Sequence, residues 1–329
     1  MTMSKEPFNY EGRGKTNKTL ATHTPIIETI NPKAYIPESG LCDAVNVALT
    51  LGQPLLVTGE PGTGKTQLAA SIAYEYTLPP PLEFYTKSSS TATDLFYHYD
   101  ALKRFNDAQL KKENIKIENY ITLRAMGIAI ILTNPKTEQS NLLLPKKYKG
   151  KENTRSVILI DEIDKAPRDF PNDILNEVEK LEFFIHETGD MFTANNSLKP
   201  IIIMTSNSEK YLPDAFLRRC VFFHISFPDK QRLKDIVTLR FEKNSDIHPG
   251  FTEEFIDSAI THFQAIRKLP LKKKPATAEF IAWLTILKSL KIDIIKLNYE
   301  VSRTYSVLSK NVDDLNQMNS FLKNECRNA

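Results

Sequence analysis

The sequence predicts an α/β fold, a parallel sheet sandwiched by helices around a phosphate-binding loop (P-loop), followed by a small all-helical domain. Three observations predict it. Gly59-Glu60-Pro61-Gly62-Thr63-Gly64-Lys65-Thr66 fills the pattern G-x-x-x-x-G-K-S/T, between a short apolar run and an Ala-rich stretch. Two further apolar runs, Val157 to Ile160 and Pro200 to Met204, end in polar residues, as central parallel strands do at a site. Beyond Pro228 the strand-like runs stop and helical segments follow one another to about Leu290.

The elements follow in order. Tyr35 to Leu51 holds an amphipathic helix, and Pro54 to Thr58 is the first buried strand. The glycine loop comes next, and Gln67 to Tyr76 is the helix behind it. Gly62 and Gly64 let successive backbone N–H groups face one anion, and the helix N-terminus adds its partial positive charge. Gly59 through Gln67 is therefore the nucleotide-binding segment. Lys65 reaches the β- and γ-phosphate oxygens, and the Thr66 hydroxyl ligates Mg²⁺. A second strand is expected at Leu82 to Tyr85 and a charged helix with a loop from Lys103 to Tyr120. A buried helix is expected from Tyr120 to Leu132, and a solvated, Lys-rich connection from Lys136 to Thr154.

The run Val157-Ile158-Leu159-Ile160 ends in Asp161-Glu162-Ile163-Asp164. Asp161, at a strand's carboxyl end, is placed to hold Mg²⁺, and Glu162 to polarise the attacking water. Asp164 either belongs to this site or caps the following helix, whose body is expected at Asp173 to Lys180. Phe183 to Phe192 reads as a hairpin around Gly189. Asn207, after the third run, either hydrogen-bonds the water or the γ-phosphate or is an ordinary turn residue. Arg218 and Arg219, between an apolar helix and the strand-like Val221-Phe222-Phe223, are either surface residues or a source of transition-state charge stabilisation.

Composition bounds the rest. The 329 residues suffice for one large or two modest domains, and 41% hydrophobic with 25% charged residues is the balance of a soluble globular chain. With 43 basic and 40 acidic residues the net charge is +3, which argues neither for nor against nucleic acid but excludes a strongly polyanion-seeking protein; with no basic groove in the sequence, nucleic acid is not an expected partner. Cys42, Cys220 and Cys326 have no disulfide or zinc spacing. No apolar run approaches the ~18 residues of a membrane span, and Met1 to Lys18 lacks a signal-peptide core, so the cytosol is the default compartment and no membrane partner is expected.

Taken together, the P-loop, Val157–Ala166, Thr205–Asn207 and Leu212–Arg219, in that order, resemble the AAA+ ATPases and among them the MoxR-like group, over roughly residues 35 to 290. The resemblance implies ATP and Mg²⁺ as ligands and a Walker B pair at Asp161 and Glu162. It makes Asn207 sensor 1 and Arg219 an arginine finger acting on a neighbouring subunit, with Arg218 as its understudy. That in turn implies a self-assembled ring, commonly a hexamer. Lys65 and Asp161 are 96 residues apart, and Lys87 to Phe96 looks like the helix-2 insertion typical of the group. Phe96, Tyr97 and Tyr99 there are expected in the core rather than on a client-facing surface.

Residues 1–34 are expected as a flexible leader, 35–228 as the AAA+ core, 229–290 as a helical lid and 291–329 as a C-terminal helix and tail. The lid starts with a helix at Gln231 to Lys243; helical spacing recurs at Ile292 to Leu308, and Asn311 to Ala329 is expected to be frayed. Lys274 to Leu284 resembles a sensor-2 helix, but Ala278 stands where many relatives have arginine, leaving Lys272, Lys273 or Lys274 as an alternative source of charge. The function implied is a remodelling ATPase whose lid and core rotate against each other as the γ-phosphate is lost. Partners implied are client proteins, some with a von Willebrand factor A domain. The alternatives are a nucleotide-gated scaffold with little turnover and a GTP-dependent restriction-system motor resembling McrB.

Overall fold

In the computed structural model, residues 32–110, 116–207, 212–242, 251–295 and 297–328 are described. They divide into two compact units, 32–226 and 227–328, the boundary falling between Ser226 and Phe227. The expected leader lies almost wholly outside the described residues.

The first unit contains α1 (Ser39–Leu51), β1 (Leu55–Gly59), α2 (Lys65–Glu75), β2 (Leu82–Tyr85), α3 (Ala92–Phe96), β3 (Tyr97–Tyr99), α4 (Ala101–Gln109), β4 (Ile121–Leu123), α5 (Ala125–Leu132) and α6 (Glu138–Leu143). It continues with β5 (Val157–Asp161), α7 (Phe170–Asp173), α8 (Leu175–Lys180), β6 (Glu182–Ile185), β7 (Asp190–Thr193), β8 (Ile201–Ser206), α9 (Asp214–Leu217) and β9 (Val221–Ile225). Five of these strands form one parallel sheet in the order β2-β5-β8-β1-β9.

Alternation along the central strands builds two apolar layers. Leu55, Val57, Val157, Leu159, Ile201 and Ile203 pack with Leu41 and Val45 of α1 and Leu68 and Ile72 of α2. The intervening Leu56, Ile158, Ile160, Ile202 and Met204 pack with α5 and with Phe170 and Phe216. Both faces are covered, which is why these strands read as unbroken apolar runs. The flanking strands carry exposed residues, Tyr85 at one edge and Phe222 at the other.

Three expectations are corrected in this unit. The buried helix expected from Tyr120 starts only at Ala125, because Ile121 and Leu123 point inward with Thr122 outward, the two-residue period of a strand, and β4 pairs antiparallel with β3. α5 then lies so close to Phe96 that a Cβ on Gly127 would fall 2.2 Å from the Phe96 carbonyl oxygen. The solvated connection expected at Lys136 to Thr154 contains α6, opened by a Thr137–Ser140 capping box and anchored by buried Leu143 and Leu144. The helix expected over Asp173 to Lys180 is two short pieces, α7 and α8. The β6–β7 hairpin, with Gly189 at φ +77°, is as expected. So is the burial of Phe96 and Tyr97, with Phe96 stacked on Phe183.

The second unit is helical: α10 (Lys230–Glu242), α11 (Glu253–Lys268), α12 (Thr277–Ser289), α13 (Tyr299–Ser302) and α14 (Val312–Asn328). Its core joins Leu233, Phe263, Phe280 and Trp283 to Val301, Tyr305, Met318 and Leu322. Among the described residues of Ile292 to Leu308, only Tyr299–Ser302 is helical, followed by turns. Ile292 and Ile294 are buried two residues apart, a spacing no helix places on one face, and the cap at Asn298 starts only the single turn of α13. Asn311 to Ala329, expected frayed, instead supplies α14, where Leu315, Met318 and Leu322 share one face and are drawn into the core.

Candidate nucleotide site

β1, β8 and β5 are neighbours in the sheet, so parallel pairing brings the residues after their carboxyl ends together. The glycine loop leaves β1, Asp161 ends β5, Glu162 follows it, and Asn207 follows β8. Gly64, the residue before α2, has φ +91°, which favours glycine, and a Cβ there would sit 3.1 Å from the Tyr35 ring. Glycine at this position is therefore what lets the loop keep its curl so close to Tyr35.

Hydrogen bonds join the three strand tips. Lys65, only 6% exposed, donates from Nζ to Gly59 O at 2.8 Å, Glu60 O at 3.0 Å and Asn207 Oδ1 at 2.9 Å. Asn207 Nδ2 donates to Glu162 Oε1 at 3.2 Å. Thr66 Oγ1 donates towards Asp161, 3.2 Å from Oδ1 and 3.3 Å from Oδ2. Lys65, Asn207 and Glu162 thus form one hydrogen-bonded chain, with the Thr66–Asp161 pair beside it. The Lys165 ammonium beside Glu162, followed in effect by Asn207, holds the Glu162 carboxyl below the ordinary carboxylate range. Glu162 is an anion and an acceptor at neutral pH.

Arg219 lies elsewhere. Its Nε donates to Glu179 Oε2 at 2.9 Å and its Nη1 to Ala215 O at 3.0 Å, and its side chain is exposed. Arg218 is exposed as well. In the second unit Ala278 is exposed on α12, and the Lys272 ammonium pairs with Asp313 at 2.5 Å.

Two more residues join the strand tips, one left open by the sequence and one not singled out there. Asp164, weighed as a helix cap, is buried and accepts the Asn207 backbone N–H at 3.3 Å; α7 has no side-chain cap. Thr205 donates to Asp161 Oδ1 at 2.5 Å and accepts from the Glu162 N–H at 2.9 Å. Nothing in the order Thr-Ser-Asn marks the first hydroxyl as belonging to the acidic pair; only the register of β5 against β8 does.

The donor set fits Mg²⁺. Asp161 and Thr66 present hard oxygens side by side, and no group of three or more His, Cys, Asp or Glu able to hold a metal occurs among the described residues. One carboxylate and one hydroxyl suit an ion that keeps waters and substrate phosphates as its other ligands.

The family model for the ATPase family associated with various cellular activities (AAA) matches residues 55–229, from the first residue of β1 to just past β9. The chain belongs to the AAA family. Its matched region holds all the described strands, together with Lys65, Thr66, Asp161, Glu162, Thr205, Asn207 and Arg219. No curated protein matches the AAA chain in sequence. Solved structures similar to it include three of RuvB from Thermotoga maritima, each a point variant. They have 17–18% identity and TM-scores of 0.43–0.44, and the match covers 84% of this AAA chain and 69% of theirs. In the AAA chain no described helix is long and apolar enough to cross a membrane.

Proposed function

We propose that this AAA protein is a Mg²⁺-dependent ATP hydrolase of the MoxR-like kind, working as a ring of identical subunits, commonly six, to remodel client proteins. The observation that carries the reading is the hydrogen-bonded network from Lys65 through Asn207 to Glu162, with Thr66 and Asp161 beside it. The backbone N–H groups of Gly62 to Thr66 and the Lys65 ammonium hold the triphosphate. Thr66 and Asp161 hold Mg²⁺, which when bound neutralises charge on the β- and γ-phosphate oxygens. Glu162 accepts a hydrogen bond from a water, and Asn207 steadies that carboxylate and orients the water for in-line attack on the γ-phosphorus. Arg219 from an adjacent copy supplies positive charge as the bond to the leaving diphosphate oxygen breaks. Clients of the sort presented by von Willebrand factor A-domain partners belong to the same reading, as does a cytosolic location.

The substitution Glu162→Gln keeps the shape and the bond to Asn207 while removing the charge. ATP binding is expected to survive and phosphate release to collapse; turnover at the wild-type rate removes Glu162 from the mechanism. Competition with GTP in the same assay separates this reading from a GTP-dependent motor. Ala278, exposed where an arginine is expected, favours one second reading, a nucleotide-gated scaffold. Nucleotide-dependent assembly in sedimentation without phosphate release supports that reading instead.

A further inference from the structure

Thr205 is fully buried on β8, beside the end of β5, and its hydroxyl is spent on the acidic pair. A hydroxyl has one hydrogen and two lone pairs. Here the hydrogen goes to Asp161 Oδ1 at 2.5 Å, and a lone pair takes the Glu162 backbone N–H at 2.9 Å. A second, independent observation concerns the backbone that this bond holds. Glu162 lies at φ 55°, ψ 51°, a left-handed conformation that a residue with a side chain seldom adopts unless its surroundings impose it. The turn at Glu162 swings its side chain off the strand direction of Asp161 and toward Asn207, whose Nδ2 it meets at 3.2 Å. The branched Cβ of threonine restricts χ1 and so fixes where the hydroxyl points.

We propose that Thr205 is the positioning residue of the site: one hydroxyl sets the rotation of the Asp161 carboxylate and locks the strained peptide of Glu162, so that the metal-holding and water-orienting carboxylates are aimed together. The inference rests on the nucleotide-hydrolase reading above and deepens it. With its hydrogen given to Asp161 and a lone pair to the Glu162 N–H, Thr205 acts through its two neighbours.

The test compares Thr205→Val, which keeps the shape and loses the hydroxyl, with Thr205→Ala and with Thr205→Ser, which keeps the hydroxyl. Turnover is measured over a range of ATP concentrations. Mn²⁺ binding in the presence of a non-hydrolysable ATP analogue is measured by electron paramagnetic resonance, and folding is checked by thermal melting. Removing such an outer partner typically costs about 10–100-fold in metal affinity or activity. The expected result is a loss of that size in kcat at unmoved KM, and in Mn²⁺ affinity, for Val and Ala, with Ser close to wild type. Wild-type kcat and Mn²⁺ affinity in the valine variant overturn the proposal, and so does a serine variant as impaired as valine. If valine does not fold, alanine against serine carries the same comparison. Should the wild-type protein bind the analogue but release no phosphate, the hydrolase reading fails, and the Mn²⁺ comparison still decides the role of Thr205. Absence of nucleotide binding overturns both.

Discussion

Buried polar side chains set the behaviour of single residues in both units, and His262 gives the clearest pH prediction. Its ring is buried against Trp283, Tyr305 and Phe321, with Nε2 2.6 Å from the Tyr305 hydroxyl, and burial pushes its pKa down from the ordinary value to about 4. Its folded form is neutral, whereas the unfolded chain takes up a proton near pH 6.5. Stability from this group is therefore complete above pH 6.5 and is lost as pH falls toward 4. Between pH 7 and 5 the loss is roughly 2 kcal/mol. Trp283, the single tryptophan of the chain, stacks on His262 and reports unfolding of that unit directly. Denaturation followed by its fluorescence should show this pH slope, and His262→Phe should flatten it; an unchanged slope places the proton uptake elsewhere. At this scale legibility followed chemistry. Lys65, Thr66 and Asp161 are readable because phosphate and Mg²⁺ demand those residue types at fixed offsets from glycines and strand ends. Thr205 is not, since its partners are chosen by strand register and threonine has many ordinary roles, and for Asp164 the sequence leaves site member and helix cap level until the Asn207 N–H is placed against it.

At the scale of elements, the reading succeeded where one periodicity ran unbroken and failed where two met. β1, β5 and β8 are apolar runs buried on both faces, so sequence marks them plainly. Tyr120 to Leu132 joins both periods: Thr122 and Arg124 alternate with Ile121 and Leu123 at its start, a strand signal only four residues long that the unbroken apolar run from Ala125 to Leu132 overrides. α14 was missed for the opposite reason. Its polar face and Asn-rich composition mask a narrow stripe of Leu315, Met318 and Leu322, and its start is tied down by long-range bonds, Asp314 accepting the N–H groups of Lys272 at 2.8 Å and Lys273 at 3.0 Å. Because Met318 is fully buried, Met318→Ala is expected to destabilise the helical unit by about 2–5 kcal/mol. An unaltered denaturation midpoint, read through Trp283, contradicts the packing of this helix into that core.

For the whole molecule, the proposed ring turns on Arg219, which within one chain is engaged by Glu179 and Ala215, apart from Lys65, Asp161 and Glu162. A mixing experiment tests this. Glu162→Gln keeps a sound arginine but a dead carboxylate, and Arg219→Ala the reverse, so each alone should release little phosphate. Mixed in equal amounts in one ring, an Arg219→Ala site beside a Glu162→Gln neighbour recovers both groups, and turnover should rise above either variant alone. No recovery, with assembly confirmed by sedimentation, removes the action across subunits. Sequence gave no handle on which chains or clients meet this surface, since partner choice is written in exposed side chains that no fold constrains. Beneath all of these readings lies uptake of the nucleotide itself. Isothermal titration of Mg-ATP into the wild-type chain and into Lys65→Ala measures it most directly. The account predicts saturable binding with about one nucleotide per chain or per competent interface, greatly weakened in the variant. No heat with the wild-type protein, or equal affinity in both, contradicts it.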